Sequence, residues 1–262
     1  MTAPTTRTSA ALVDYVTGLG DDALVLSHRL AEWITRAPQL EEDIALANIS
    51  LDLLGQARTL LGYAGELEGG GAGTGRSEDD LAYLRDEREF RNLQIVEIGN
   101  GDFAVTIARQ LIFSAYQFEL YSALLGSADE TLAGLAAKAV KEVAYHRDHA
   151  TQWTLRLGDG TELSHRRMQA ALASTWPYIE EIFDPADVAD ALAALPGIAV
   201  DPATLRPAWA AYVRPVLAQA TLTEPRPNRR TRGGRRGLHT ERLGHLLATM
   251  QSLHRAHPGA SW

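Results

Sequence analysis

The chain has 262 residues, 45% of them hydrophobic, with no cysteine and a formal net charge of -8 at pH 7. That length and apolar share suffice for a substantial core, and the lack of cysteine removes disulfides, thiolate metal sites and cysteine nucleophiles. An acidic balance repels phosphate and anionic lipid and so argues against a general nucleic-acid or membrane-surface binder.

Met1 to Gly20 contains Asp14 and no continuous apolar core of signal-peptide type, and no later stretch reaches membrane-spanning length without charge, so the expectation is a soluble cytoplasmic protein. The segments between glycines and prolines are rich in Ala, Leu, Arg, Gln and Glu, which lose little rotamer freedom in a helix. The pattern predicts a short helix over 12–17, a helix over 21–36 that stops near Pro38, and a long helix over 41–67. The glycine-rich run at 69–80 reads as a loop. Long helices follow over 103–125 and 130–157, ended by Gly126 and Gly158. Two hairpin-like pairs joined by a longer crossover predict an all-α, ferritin-like four-helix bundle at about 20–158. A C-terminal helical extension at about 159–262 completes a single ferritin-like domain. In it Ser164 can cap a helix to about Phe183 that Pro177 should kink, Asp184-Pro185 can start a short helix, and 202–220 and 240–256 look helical.

The second long helix, EEDIALANISLDLLGQARTLL, is apolar around much of its circumference, which predicts burial. On it Asn48, Asp52 and Gln56 fall at i, i+4 and i+8, a polar stripe. The helix over 130–157 places Glu142 and His146 at i, i+4, with His149 a turn further on. If the stripes meet inside a bundle they form either a hydrogen-bond network or a metal site, because buried polar groups need partners. A ferritin-like di-iron centre requires a carboxylate from each of two helices and a Glu-x-x-His pair from each of the other two. Here Asp52 is followed three residues later by Gly55, and Val143 precedes His146 by three, so both pairs are broken. The expectation is a vestigial polar core of Asn48, Asp52, Gln56, Glu142 and His146, with no metal and no catalytic residue in this chain. A hydrogen-bonded core is the reading preferred over an unorthodox cluster of Asp52, Glu119, Glu142, His146 and His149.

The stretches EWITRAPQLEEDIALANISLDLLGQARTLL, DEREFRN at 86–92, DFAVTIARQ, KEVAYHRDH and GGRRGLHTERLGHLL with the terminal HPGASW together resemble the C-subunit family of bacterial phenylacetyl-CoA epoxidases. The resemblance covers nearly the whole chain. It implies a ferritin-like fold and a structural component that is not itself catalytic. The partners it implies are a homologous catalytic A subunit that carries the di-iron centre, a reductase among the other oxygenase components, and phenylacetyl-CoA at the interface. The A subunit shares the Trp-Ile-x-Arg-Ala-Pro motif present here at Trp33, Ile34, Arg36, Ala37 and Pro38. From that anchor its ligand pairs fall on Asp52 and Gly55 and on Val143 and His146. The alternatives from other classes are a free-standing ferritin-like metal-binding oxidase and a lone acyl-CoA-binding protein.

Two further segments carry charge. RDEREFRN is either a solvated connection with Phe90 as a core anchor, or the border of the acyl-CoA entrance through Glu89, Phe90, Arg91 and Asn92, with Arg91 suited to a phosphate and Asn92 to the pantetheine. The segment containing Arg226, Arg229, Arg230, Arg232, Arg235 and Arg236 is a solvated loop, a dock for an acidic partner surface, or a grip on CoA phosphates. The remaining histidines, His239 among them, have no carboxylate at ligand spacing except His245, four residues after Glu241, a pair read as a surface contact, and they carry less weight.

Overall fold

The computed structural model describes residues 6–226 and 230–260, with side chains from residue 9 onward; Arg229 of the expected contact set lies outside the described residues. Among the described residues there is no strand, so the all-α expectation holds. The helices are α1 (Thr6–Ala31), α2 (Leu40–Glu68), α3 (Glu78–Tyr83), α4 (Gln94–Glu97), α5 (Phe103–Leu124), α6 (Glu130–Gly158), α7 (Glu162–Thr175), α8 (Ile179–Ile182), α9 (Ala189–Ala194), α10 (Arg206–Gln219) and α11 (Glu241–Ala256). None of the described helices is long and apolar enough to cross a membrane.

Two boundaries differ from expectation. The short helix at 12–17 and the helix from 21 are one continuous α1, which runs through Gly18 and Gly20 and ends at Ala31, not Arg36. Its end is set by the turn that follows, where Thr35 takes a left-handed φ of 70° and its N–H donates to Asp43 Oδ1 at 2.7 Å. Likewise Thr161, not Ser164, caps α7. Ser164 sits three residues further on and closes a reciprocal capping box.

Chain compactness divides the molecule into two units. The first comprises Met1–Gly99, Asp187–Pro196 and Gly233–Trp262. In it α1 packs along α2, and the two helices exchange serine bonds: Ser27 Oγ donates to the Ser50 carbonyl at 2.8 Å and Ser50 Oγ to the Ser27 carbonyl at 2.9 Å. The helices α4, α9 and α11 also lie on α1.

The second unit comprises Asn100–Ala186 and Gly197–Arg232. Its centre is α5, buried on nearly every side through Ile107, Leu111, Ile112 and Phe113. Against it α6 sets a seam of Leu132, Ala136, Ala139, Val143, His146 and Ala150, spaced by fours and threes, which keeps one helical face inward. Trp209 of α10 donates from Nε1 to the Ile112 carbonyl at 3.0 Å, and the Arg147 guanidinium lies 3.6 Å from the Phe118 ring centre and 4.1 Å from that of Tyr212.

Candidate functional site

The polar stripe of α2 does not share one environment. Asn48 is exposed, Asp52 half-buried and Gln56 buried. A step of four residues rotates about 40° around a helix, so two such steps carry a side chain from surface to core. The expected burial of α2 is corrected as well, for the helix leaves Leu40, Ile44 and Leu51 exposed. On α6, Val143 and His146 occupy the buried seam, whereas Glu142 stands off it, half-buried, 3.4 Å from Lys138. Gly55 has open space where a side chain would project, and a Cβ there would meet nothing within 4 Å.

The charge-dense segment after α3 is built differently from a solvated connection. Phe90 and Asn92 are fully buried, while Glu89 is exposed and its carboxylate caps the turn by accepting from the Asp86 N–H at 2.7 Å. The backbone of this segment is held at successive polar atoms. Arg85 Nη1 donates to the Glu89 carbonyl at 3.2 Å, His239 Nε2 to the Phe90 carbonyl at 3.0 Å, and Arg235 Nη1 to the Arg91 carbonyl at 2.9 Å. Going the other way, the Arg91 N–H donates to Asp21 Oδ2 at 2.8 Å and the Leu93 N–H to Asp22 Oδ1 at 2.7 Å.

The side chains that hold this backbone are paired with one another. Arg85 grips Asp21 with both terminal nitrogens, and Arg235 meets Asp22 while also donating to the Gly18 carbonyl of α1. Glu97 of α4 receives the Thr240 N–H at 2.5 Å, Asn92 Nδ2 at 2.9 Å and His239 Nδ1 at 2.8 Å. All lie in the first unit, and Asp21, Asp22, Glu97 and Arg85 are nearly or fully shielded from solvent. Buried charges persist only when paired and hydrogen-bonded, and this network meets that condition with three carboxylates facing two guanidiniums and one imidazole. Two glycines make the approach possible. A Cβ on Gly18 would lie 2.9 Å from Arg235 Nη1, and one on Gly237, whose φ is 75°, would lie 2.2 Å from the Arg88 carbonyl.

The arginine segment is sorted by the same rule. Arg230 and Arg232, in the second unit, lie 3.7 Å from Glu180 and 3.3 Å from Asp184, and Arg236, in the first, lies 2.9 Å from Asp187. All three arginine side chains are more than half exposed, while the carboxylates they meet are largely shielded. Among the described arginines of this segment Arg235 is the most shielded, its side chain 10% exposed, and it is engaged by Asp22 and backbone carbonyls. Sequence reasoning passed over Asp21, Asp22, Glu97 and His239. The available signal was the adjacent pair Asp21-Asp22 inside an otherwise apolar run, with VTGLG before it and ALVLS after it.

Comparison with known proteins adds the identity of the family. The C subunit of 1,2-phenylacetyl-CoA epoxidase from Escherichia coli strain K12 is 50% identical over 251 residues, covering 96% of this chain and 99% of that protein. The match to the family described as phenylacetic acid catabolic protein runs over residues 1–262, so the chain belongs to that helical, ferritin-like family.

Proposed function

We propose that the chain is the non-catalytic C subunit of a phenylacetyl-CoA epoxidase. It binds and stabilises a homologous catalytic subunit that carries the iron and is served by a reductase component. It also contributes the 89–92 segment to the mouth that receives the CoA ester. The observation that carries this reading is the 50% identity spread over nearly the full length of both chains. The non-catalytic part is supported by Gly55 and Val143, which offer no ligand where the resemblance places one. The assembly part is supported by Ile34, Leu40, Ile44 and Leu51, large apolar side chains left on the surface from the end of α1 along α2, because clustered exposed apolar residues mark protein–protein contacts. In the 89–92 segment, Glu89 and the half-buried Arg91 are the side chains that reach solvent, with Glu89 Oε2 capping the turn and Arg91 Nη1 on the Arg88 and Phe90 carbonyls, while Phe90 and Asn92 stiffen the segment from within.

The test is co-expression with the catalytic subunit, purification through a tag on this chain, and iron analysis of each separated component. The expected result is a stable complex with iron confined to the catalytic partner. An isolated chain that retained iron and consumed O2 by itself would overturn the reading.

A further inference from the structure

Among the groups that hold the backbone of residues 89–93, His239 is the one whose grip the loss of a single proton can cancel. Its Nε2 faces the Phe90 carbonyl at 3.0 Å, an atom that can only accept. Its Nδ1 faces Glu97 Oε2 at 2.8 Å, on a carboxylate that already accepts from the Thr240 N–H and Asn92 Nδ2. Both ring nitrogens therefore face acceptors, and a neutral imidazole carries one N–H, not two. The ring is fully shielded from solvent, so no water replaces the missing donor.

We infer that His239 is held as an imidazolium and is the positioning residue that locks the 89–92 segment, with the loop from Gly233 to Thr240, against α4. Its effect on substrate rests on the proposed role of that segment at the CoA-ester mouth. The charged surroundings are consistent. Glu97 on α4 and Asp21 on α1 are the anions in reach. The cations Arg85 and Arg235 are engaged by Asp21 and Asp22, Arg29 Nε by the Glu97 backbone carbonyl, and Arg91 Nη1 by the Arg88 carbonyl and the same Phe90 carbonyl that Nε2 faces. Loss of the proton would turn a ring lone pair either toward the Phe90 carbonyl, which would keep Arg91 Nη1 at 3.0 Å as a donor, or toward Glu97, which would keep the Thr240 N–H and Asn92 Nδ2, and in a site that water does not reach that repulsion would loosen the segment.

Two measurements test this. The ring nitrogen shifts of 15N-histidine-labelled full-length chain report whether His239 carries two protons at neutral pH, and hydrogen exchange reports protection of the amides at 89–93. Expected are two ring protons at neutral pH, and a loss of protection by about tenfold both above the imidazole titration and in His239→Gln, whose amide can donate to one of the two acceptors with no charge. In the reconstituted complex, His239→Gln should raise KM for the CoA ester about tenfold with little change in kcat. Lost protection with an unchanged KM would uphold the lock and overturn the CoA-mouth reading. A neutral imidazole at neutral pH in the wild-type chain, or wild-type protection in His239→Gln, would overturn the lock whatever happens to KM.

Discussion

The buried network makes two residues into reporters of pH, and both act in the same direction. Burial pushes the Asp22 carboxyl up to about 6, against the pull of Arg235 and the Leu93 N–H. The folded chain thus holds this proton more tightly than the unfolded chain, so the contribution of Asp22 to stability is full below about pH 4 and is lost as the pH rises toward 6. For His239, burial works against the charge, but the hydrogen bond and field of Glu97, with the Phe90 carbonyl and Asp21, outweigh it and raise the pKa. That contribution is present below the unfolded value near 6.5 and is lost as the pH rises through the higher folded value. Unfolding free energies measured across pH should show wild type losing about 2 kcal/mol relative to Asp22→Asn between pH 4 and 6, and losing ground to His239→Gln only above about pH 6.5. A difference that stays flat across both windows would refute the assignment. Gly237→Ala is a separate expectation, since it adds a clash with the Arg88 carbonyl to a left-handed backbone. It should cost about 2 kcal/mol or more in urea unfolding.

At the level of the helices, the exposed residues of α2 allow assembly to be separated from folding. Ile44 and Leu51 are 55% and 63% exposed, so a glutamate at either should leave the isolated chain within about 0.5 kcal/mol of wild type. The same substitutions should abolish co-purification with the catalytic subunit. Retained co-purification in Ile44→Glu/Leu51→Glu would move the interface elsewhere. The long helices were legible in the sequence because their runs of Ala, Leu, Glu, Gln and Arg outweigh the internal glycines Gly55, Gly62, Gly65 and Gly134. The ranges expected at 41–67, 103–125 and 130–157 stand in the structure as Leu40–Glu68, Phe103–Leu124 and Glu130–Gly158. What misled was glycine inside α1. Gly18 and Gly20 read as breaks by propensity, yet they are kept helical by contacts that propensity does not contain: Arg235 at Gly18 and Leu61 at Gly20 approach where a Cβ would stand. The network was illegible for a related reason. His239 and Glu97 are 142 residues apart, and no spacing rule joins residues that only the tertiary fold brings together.

For the molecule as a whole, Gly55 and Val143, the two positions where the resemblance places ligands, give a side chain different amounts of room, and that difference can be measured. Gly55 is half-buried, and an added Cβ would meet nothing, so steric room for a side chain persists there. A helical glycine with such room costs about 0.5–1 kcal/mol relative to alanine, so Gly55→Ala should stabilise the isolated chain by that amount and Gly55→His should be tolerated. Val143 is fully buried in the seam between α6 and α5. Val143→Glu would place a carboxylate among packed apolar side chains, and the expected loss is about 3 kcal/mol or more, with the acid held neutral at pH 7. Equal tolerance of both substitutions in urea unfolding would contradict this asymmetry. If it holds, a ligand-type side chain would be accepted at one position and not at the other. The glycine position has room for at least a Cβ, but the valine belongs to the packing of the second unit, so a carboxylate introduced there would disrupt part of that packing.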